Sequence, residues 1–184
     1  VVFTDDTELS LQAAVALANT AVDPDTLTTV DDLAEFVTEQ GFTGRIDGDL
    51  AELDEVRAVR PRLRALFTAS TGDAVGLVND ILAEYRATPR LVRHDDQDWH
   101  IHAVDDDAPL VTRMLVEAAM AMVDVIRADE MSRFSVCADN SCEALVIDLS
   151  RNRSRRYCST TCGNRNAVAA YRSRQRGDGT ASDR

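Results

Sequence analysis

Cys137-Ala-Asp-Asn-Ser-Cys142 is followed, after fifteen intervening residues, by Cys158-Ser-Thr-Thr-Cys162-Gly163-Asn164-Arg165. These four are all the cysteines of the 184-residue chain, set as two close pairs in its last third. A tetrahedral Zn²⁺ needs four soft donors at one point, and two tight turns offering two thiolates each can supply them at this spacing. Two disulfides, or four buried apolar cysteines, are the competing readings. The opening Val1-Val2-Phe3-Thr4-Asp5-Asp6 has neither a basic start nor a long apolar run, so a reducing cytosol is expected, where disulfides are rare. Isolated buried cysteines have no reason to pair at both ends. The expectation is one structural zinc ion held by Cys137, Cys142, Cys158 and Cys162, with iron in the same cage as the alternative metal.

Arg156-Tyr157-Cys158-Ser159-Thr160-Thr161-Cys162-Gly163-Asn164-Arg165 resembles the CGNR zinc finger. Upstream, Val146-Ile147-Asp148-Leu149-Ser150-Arg151-Asn152 resembles that family's strand and Asp-x-Ser-Arg turn. The resemblance covers residues 133–176 and implies a treble-clef finger behind an N-terminal ABATE domain, in proteins proposed to be bacterial stress-linked transcription regulators. Leu17-Ala18-Asn19-Thr20 is similar to the Asn-Thr signature near the start of ABATE domains, which implies a ligand role for Asn19. Read from its apolar surroundings alone, Asn19 is a side chain satisfied by nearby backbone.

Charge divides the chain at the same place. All 20 basic residues are arginine, a usage that a GC-rich genome explains, so arginine abundance says nothing of nucleic acid. Its distribution does. Residues 1–132 hold 10 Arg against 27 Asp and Glu, whereas 133–184 hold 10 Arg against 5 acids. Such asymmetry points to separate domains with separate partners. No stretch is long enough to span a membrane. The expected organisation is α+β: a mostly helical ABATE-like domain over 1–132 with one β-hairpin, a small treble-clef-like finger over 133–176, and a disordered tail over 177–184.

Within the first domain, helices are expected from about Asp6 to Ala21, from Val30 towards a stop at Gly41, from Asp49 to Ala69, through Val75–Tyr85 after an Asp73 cap, and after Pro109. Leu9, Leu11 and Ala13 through Ala18 make the first helix apolar nearly all round, hence central. Pro61 should kink the third, because it removes a backbone donor. Arg57, Arg60 and Arg64 recur there at helical spacing and read as a solvated face paired with carboxylates, or as an anion clamp. Arg90–His94 and Trp99–Val104 alternate as strands around an acidic tip of Asp95, Asp96 and Asp98. His100 and His102 then share one strand face, suited to polar contacts or a small-ligand pocket more than to a metal lacking a third ligand. Asn19, Arg60, His100 and His102 are the candidate ligand-binding residues.

In the finger, Ala144–Leu149 and Arg155–Tyr157 are expected as hairpin arms, with Cys162 at the start of a helix running to Arg174 and Asn164 as its cap. Asp148 should pair with a nearby arginine, and Val168 and Tyr171 should pack on the hairpin. Arg151, Arg153, Arg155, Arg156, Asn164, Arg165, Arg172 and Arg176 are the candidate DNA-binding residues, the last three arginines sharing a helix face with Arg174 opposite. A zinc-containing DNA-binding regulator with a ligand-sensing first domain is the leading reading. A zinc-dependent protein–protein interaction module, its basic patch on an acidic partner, is the alternative. An enzyme is not expected: there is no nucleophile–base motif or phosphate loop, and a closed four-thiolate site keeps no open position.

Overall fold

The computed structural model describes residues 3–93 and 99–178, with side chains described as far as Gln175. The expected acidic tip, the Arg176 side chain and residues 179–184 of the expected tail lie outside the described residues. Among the described residues the chain forms helices α1 (Asp5–Asn19), α2 (Val30–Glu39), α3 (Leu50–Thr68), α4 (Thr71–Glu84), α5 (Leu110–Arg127) and α6 (Thr160–Asp178). Two antiparallel hairpins complete it: β1 (Arg90–Val92) with β2 (His100–His102), and β3 (Phe134–Val136) with β4 (Leu145–Ile147). The fold is α+β, mostly helical, and none of the helices is long and apolar enough to cross a membrane.

α1 and α5 share the centre: α1 lies against α3, α5 and β4, and α5 against α1, α3 and α4. Its Ala13, Ala14 and Ala18 and the Ala118, Ala119 and Ala121 of α5 are all buried; such small side chains let helix backbones approach closely. Leu11, Leu17, Leu63, Leu66, Leu115 and Met122 fill the space between the helices. Leu9, expected in the apolar surface, is 55% exposed, because it lines an open cavity rather than the packed core.

The helix starts follow their capping chemistry. Thr29 and Asp32 close a reciprocal capping box on α2, and Asp49 accepts the Glu52 N–H on α3. On α4 the cap is Ser70, not Asp73: Ser70 Oγ accepts the Asp73 N–H and donates to the Asp73 carboxylate at 2.7 Å. Pro61 sits inside α3 and leaves the Arg57 carbonyl without its usual donor. Arg60 Nε supplies one at 3.2 Å.

The second hairpin differs from expectation. β4 pairs with the upstream Phe134–Val136, in register Phe134–Ile147 and Val136–Leu145, and Arg155–Tyr157 is not a strand. β3 and β4 bracket the first cysteine pair. β4 is buried on both faces: Leu145 and Ile147 belong to the helical core, and Val146 packs with Cys137 and Cys162. The Phe67 and Phe134 rings stack at 4.9 Å between α3 and β3.

Candidate metal centre and basic helix

The turn after β3 carries Cys137 and Cys142, and its geometry comes from Asp139. Asp139 Oδ1 accepts the Ser141 N–H at 2.9 Å and the Ser141 hydroxyl at 2.7 Å, a local side-chain turn that Asp-x-Ser favours. Those bonds hold the nearly buried carboxyl below the usual carboxylate range. The second pair sits at the start of α6, where Ser159 Oγ accepts the Cys162 N–H at 3.3 Å. Ser159 is therefore the cap, and Asn164, expected there, is an exposed residue of the second helical turn. Tyr157 lies beside Gly163, 3.6 Å from where a Cβ would stand.

The four Sγ atoms lie within 4.8 Å of one another. Cys142 and Cys158 are 3.6 Å apart, and Cys158 and Cys162 3.7 Å. Four Zn–S bonds of about 2.3 Å arranged tetrahedrally put neighbouring sulfurs about 3.8 Å apart, whereas a disulfide needs about 2.05 Å. The donor set fits one zinc ion, and no disulfide forms. Burial and the neighbouring thiols push the Cys158 thiol up to about 12, so four crowded thiolates need a divalent cation to coexist. Cys137 Sγ also accepts the Cys158 N–H at 3.4 Å, tying the two knuckles together.

Arginines divide into two groups. Arg165 donates to Ser141 Oγ and stands 3.4 Å from Asp139 Oδ2, fastening α6 to the first knuckle. Arg153 binds Glu130 at 2.7 Å and Ser132 at 2.9 Å; Arg155 Nη2 binds the Cys158 carbonyl at 3.2 Å. Arg151, Arg156, Arg172 and Arg174 are exposed, and their side chains have no hydrogen bond or ion pair among the described residues. The Asp148 carboxylate accepts the Ser150 N–H at 2.8 Å and the Arg155 N–H at 2.6 Å, while the Arg133 guanidinium donates to the Asp148 backbone carbonyl at 2.8 Å. Against the effect of burial, bonds from Ser150 and Arg155 hold its carboxyl low. Val168 and Tyr171, expected on the hairpin, are 48% and 57% exposed, because α6 leads away from the hairpin. It also runs on to Asp178, four residues past its expected end.

The first-domain candidates separate as well. Asn19 Nδ2 donates to the Leu145 carbonyl at 2.9 Å, and its Oδ1 accepts the Leu145 N–H at 2.6 Å. Arg60 forms a two-pronged bond to Asp25, 2.8 Å on each prong, and a third to Thr20 Oγ1 at 3.1 Å. Neither lines the cavity to which His100 and His102 belong. That cavity, of about 480 Å³, lies between α1, the end of α2, β2 and α5. Glu117 and Arg113 from α5 also line it. Sequence reading passed over both, because on a helix as apolar as α5 single charges carry no pattern.

The family described as "Putative stress-induced transcription regulator", ABATE, matches residues 11–129, and the CGNR zinc finger family matches 133–175. A search of curated proteins found no match.

Proposed function

The chain belongs to the ABATE family and carries a CGNR zinc finger after that domain, and on that premise we propose that it regulates transcription by binding duplex DNA through the finger. The carrying observation is α6: exposed from Ala167 to Gln175, with Arg172 and Arg174 uncommitted to any carboxylate. Arg151 and Arg156, equally uncommitted, lie on the turn before the second cysteine pair. A guanidinium that no acid neutralises is available to phosphate, and each phosphate contact releases counterions. The sensing half is the helical domain, whose cavity takes a small ligand. Its surplus of acids repels DNA and leaves binding to the finger. No catalytic step enters this reading.

The exposed Val168 and Tyr171 favour a second reading, in which α6 docks on a protein partner. Titration of the zinc-loaded full chain against duplex DNA at several salt concentrations separates the two. With about four phosphates engaged, the slope of log K against log salt should be about −3.6. A folded, zinc-loaded chain without salt-sensitive affinity for DNA would leave the protein-docking reading.

A further inference from the structure

The cavity of the helical domain gathers a second set of metal-ligating side chains that the finger does not use. Alternation along β2 puts His100 and His102 on its inner face, with Ile101 45% exposed on the other. The two Nε2 atoms are 3.1 Å apart. Metal–imidazole bonds of about 2.0–2.1 Å to both would subtend roughly 100° at the ion, between the octahedral and tetrahedral angles. The other nitrogen of His102 is held as metal-ligating histidines usually are: Nδ1 lies 2.9 Å from Asp106 Oδ1, which keeps a proton on Nδ1 and turns the Nε2 lone pair towards His100.

Asp106 is itself fixed. Its backbone carbonyl accepts the Arg45 N–H at 2.9 Å. The loop from α2 presses so close that a Cβ on Gly44, whose φ is +80°, would come within 2.6 Å of that carbonyl. Arg113 holds the same loop through the carbonyls of Thr43 and Arg45 and ties it to the segment before α5 through the Ala108 carbonyl. From α5, the Glu117 side chain lines the same cavity without a hydrogen bond or ion pair among the described residues. The other charges lining the cavity are Asp6, Glu39, Asp124 and Arg127. Carboxylates outnumber guanidiniums, which favours a cation.

We propose that His100 and His102 bind a divalent transition-metal ion, separate from the zinc of the finger, with Asp106 positioning His102. Imidazole nitrogens select zinc, nickel, cobalt or copper over magnesium and calcium. The cysteine cluster is the one group of three or more converged donors among the described residues. The histidine site, with two converged nitrogens, therefore holds its ion more loosely and exchanges it, as a sensing site must. This deepens the reading of the cavity as the ligand site and does not depend on DNA binding.

The test uses the untagged full chain with zinc already in the finger, titrated with Co²⁺. One further equivalent should bind with weak visible d–d absorption and no sulfur-to-cobalt charge transfer. Among the chain's three histidines, the ring signals of His100 and His102 should show paramagnetic shifts in imidazole NMR spectra of the wild type. The double variant His100→Ala/His102→Ala should lose that equivalent and keep its zinc, and Asp106→Asn should weaken it about 10–100-fold. No second equivalent in the wild type, unshifted His100 and His102 signals, or a second equivalent that survives in a zinc-loaded double variant would each overturn the proposal. The wild-type spectra decide it even if the double variant fails to fold.

Discussion

Asn19 and Leu145 are 126 residues apart and joined by two hydrogen bonds: the Asn19 amide donates to the Leu145 carbonyl and accepts from its N–H. An asparagine at the end of α1 thus acts as one more strand partner for β4. The finger is not tethered loosely to the helices. It is docked through this pair, through the Phe67–Phe134 stack and through Arg64, which donates to the Glu143 carbonyl at 2.7 Å.

Asn19→Ala should destabilise the full chain by about 1–3 kcal/mol, since it leaves both Leu145 backbone groups without their partner. Denaturant unfolding checks this. Asn19→Asp keeps the acceptor and loses the donor, and should fall between wild type and alanine. A ligand-binding role alone would leave stability unchanged in both.

Asp25 gives a pH dependence of known sign. The Arg60 side chain bonded to it holds its carboxyl down at about 2. A carboxyl depressed in the folded state stabilises fully above its unfolded pKa of about 3.9 and loses that contribution as pH falls through about 2. With part of Asp25 exposed, the contribution is about 1–2 kcal/mol. Thermal melts between pH 7 and pH 2 should show wild type falling towards Asp25→Asn, the gap closing below pH 4.

Zinc removal should reach beyond the finger. Because β4 turns Val146 to the cysteines and Leu145 and Ile147 to the helices, a chelator should lower the melting temperature of the helical domain as well as abolish α6. A chain ending at Ser132 should melt lower still, lacking Phe134, Leu145 and Ile147. Calorimetry showing a helical transition unmoved by chelation would contradict this coupling.

Among the finger arginines, substitution should have two distinct outcomes. Arg172→Ala and Arg156→Ala should each flatten the DNA salt slope by about 0.9 with zinc affinity unchanged. Arg165→Ala removes the tie to Asp139 and Ser141, so it should loosen the zinc site and weaken DNA binding only through it. Competition with a metal indicator, run beside the DNA titration, reads both.

The metal centre was the most legible part of the chain, because ligand spacing is a local property and four cysteines leave one way to converge. The helices were legible from periodicity; their caps were less so, since Asp49 read as the first helical residue and Asp73 as the cap that Ser70 supplies. The second hairpin was misread for a physical reason: Leu145-Val146-Ile147 is buried on both faces, so it shows no alternation, and nothing local says which neighbour pairs with it. The ties of Arg165 and Arg153 were not legible either. A positive charge looks the same in sequence whether or not it meets a carboxylate of its own fold, and only the placement of Asp139 and Glu130 in space shows these two ion pairs.

The lone course of α6 has a thermal consequence. Past Asn166 it has no buried residue as far as Gln175, so packing, which stabilises most helices, contributes nothing there. The metal replaces it by a different route. Pinning Cys162 within the first turn removes the cost of nucleation, and Ala167, Ala169 and Ala170 favour propagation from that end. The helix therefore grows outward from the zinc and frays inward from its tip. Warming shortens it turn by turn, withdrawing Arg174 and then Arg172 before the first turns are touched, so the length of basic helix on offer falls smoothly with temperature while the metal site stays intact.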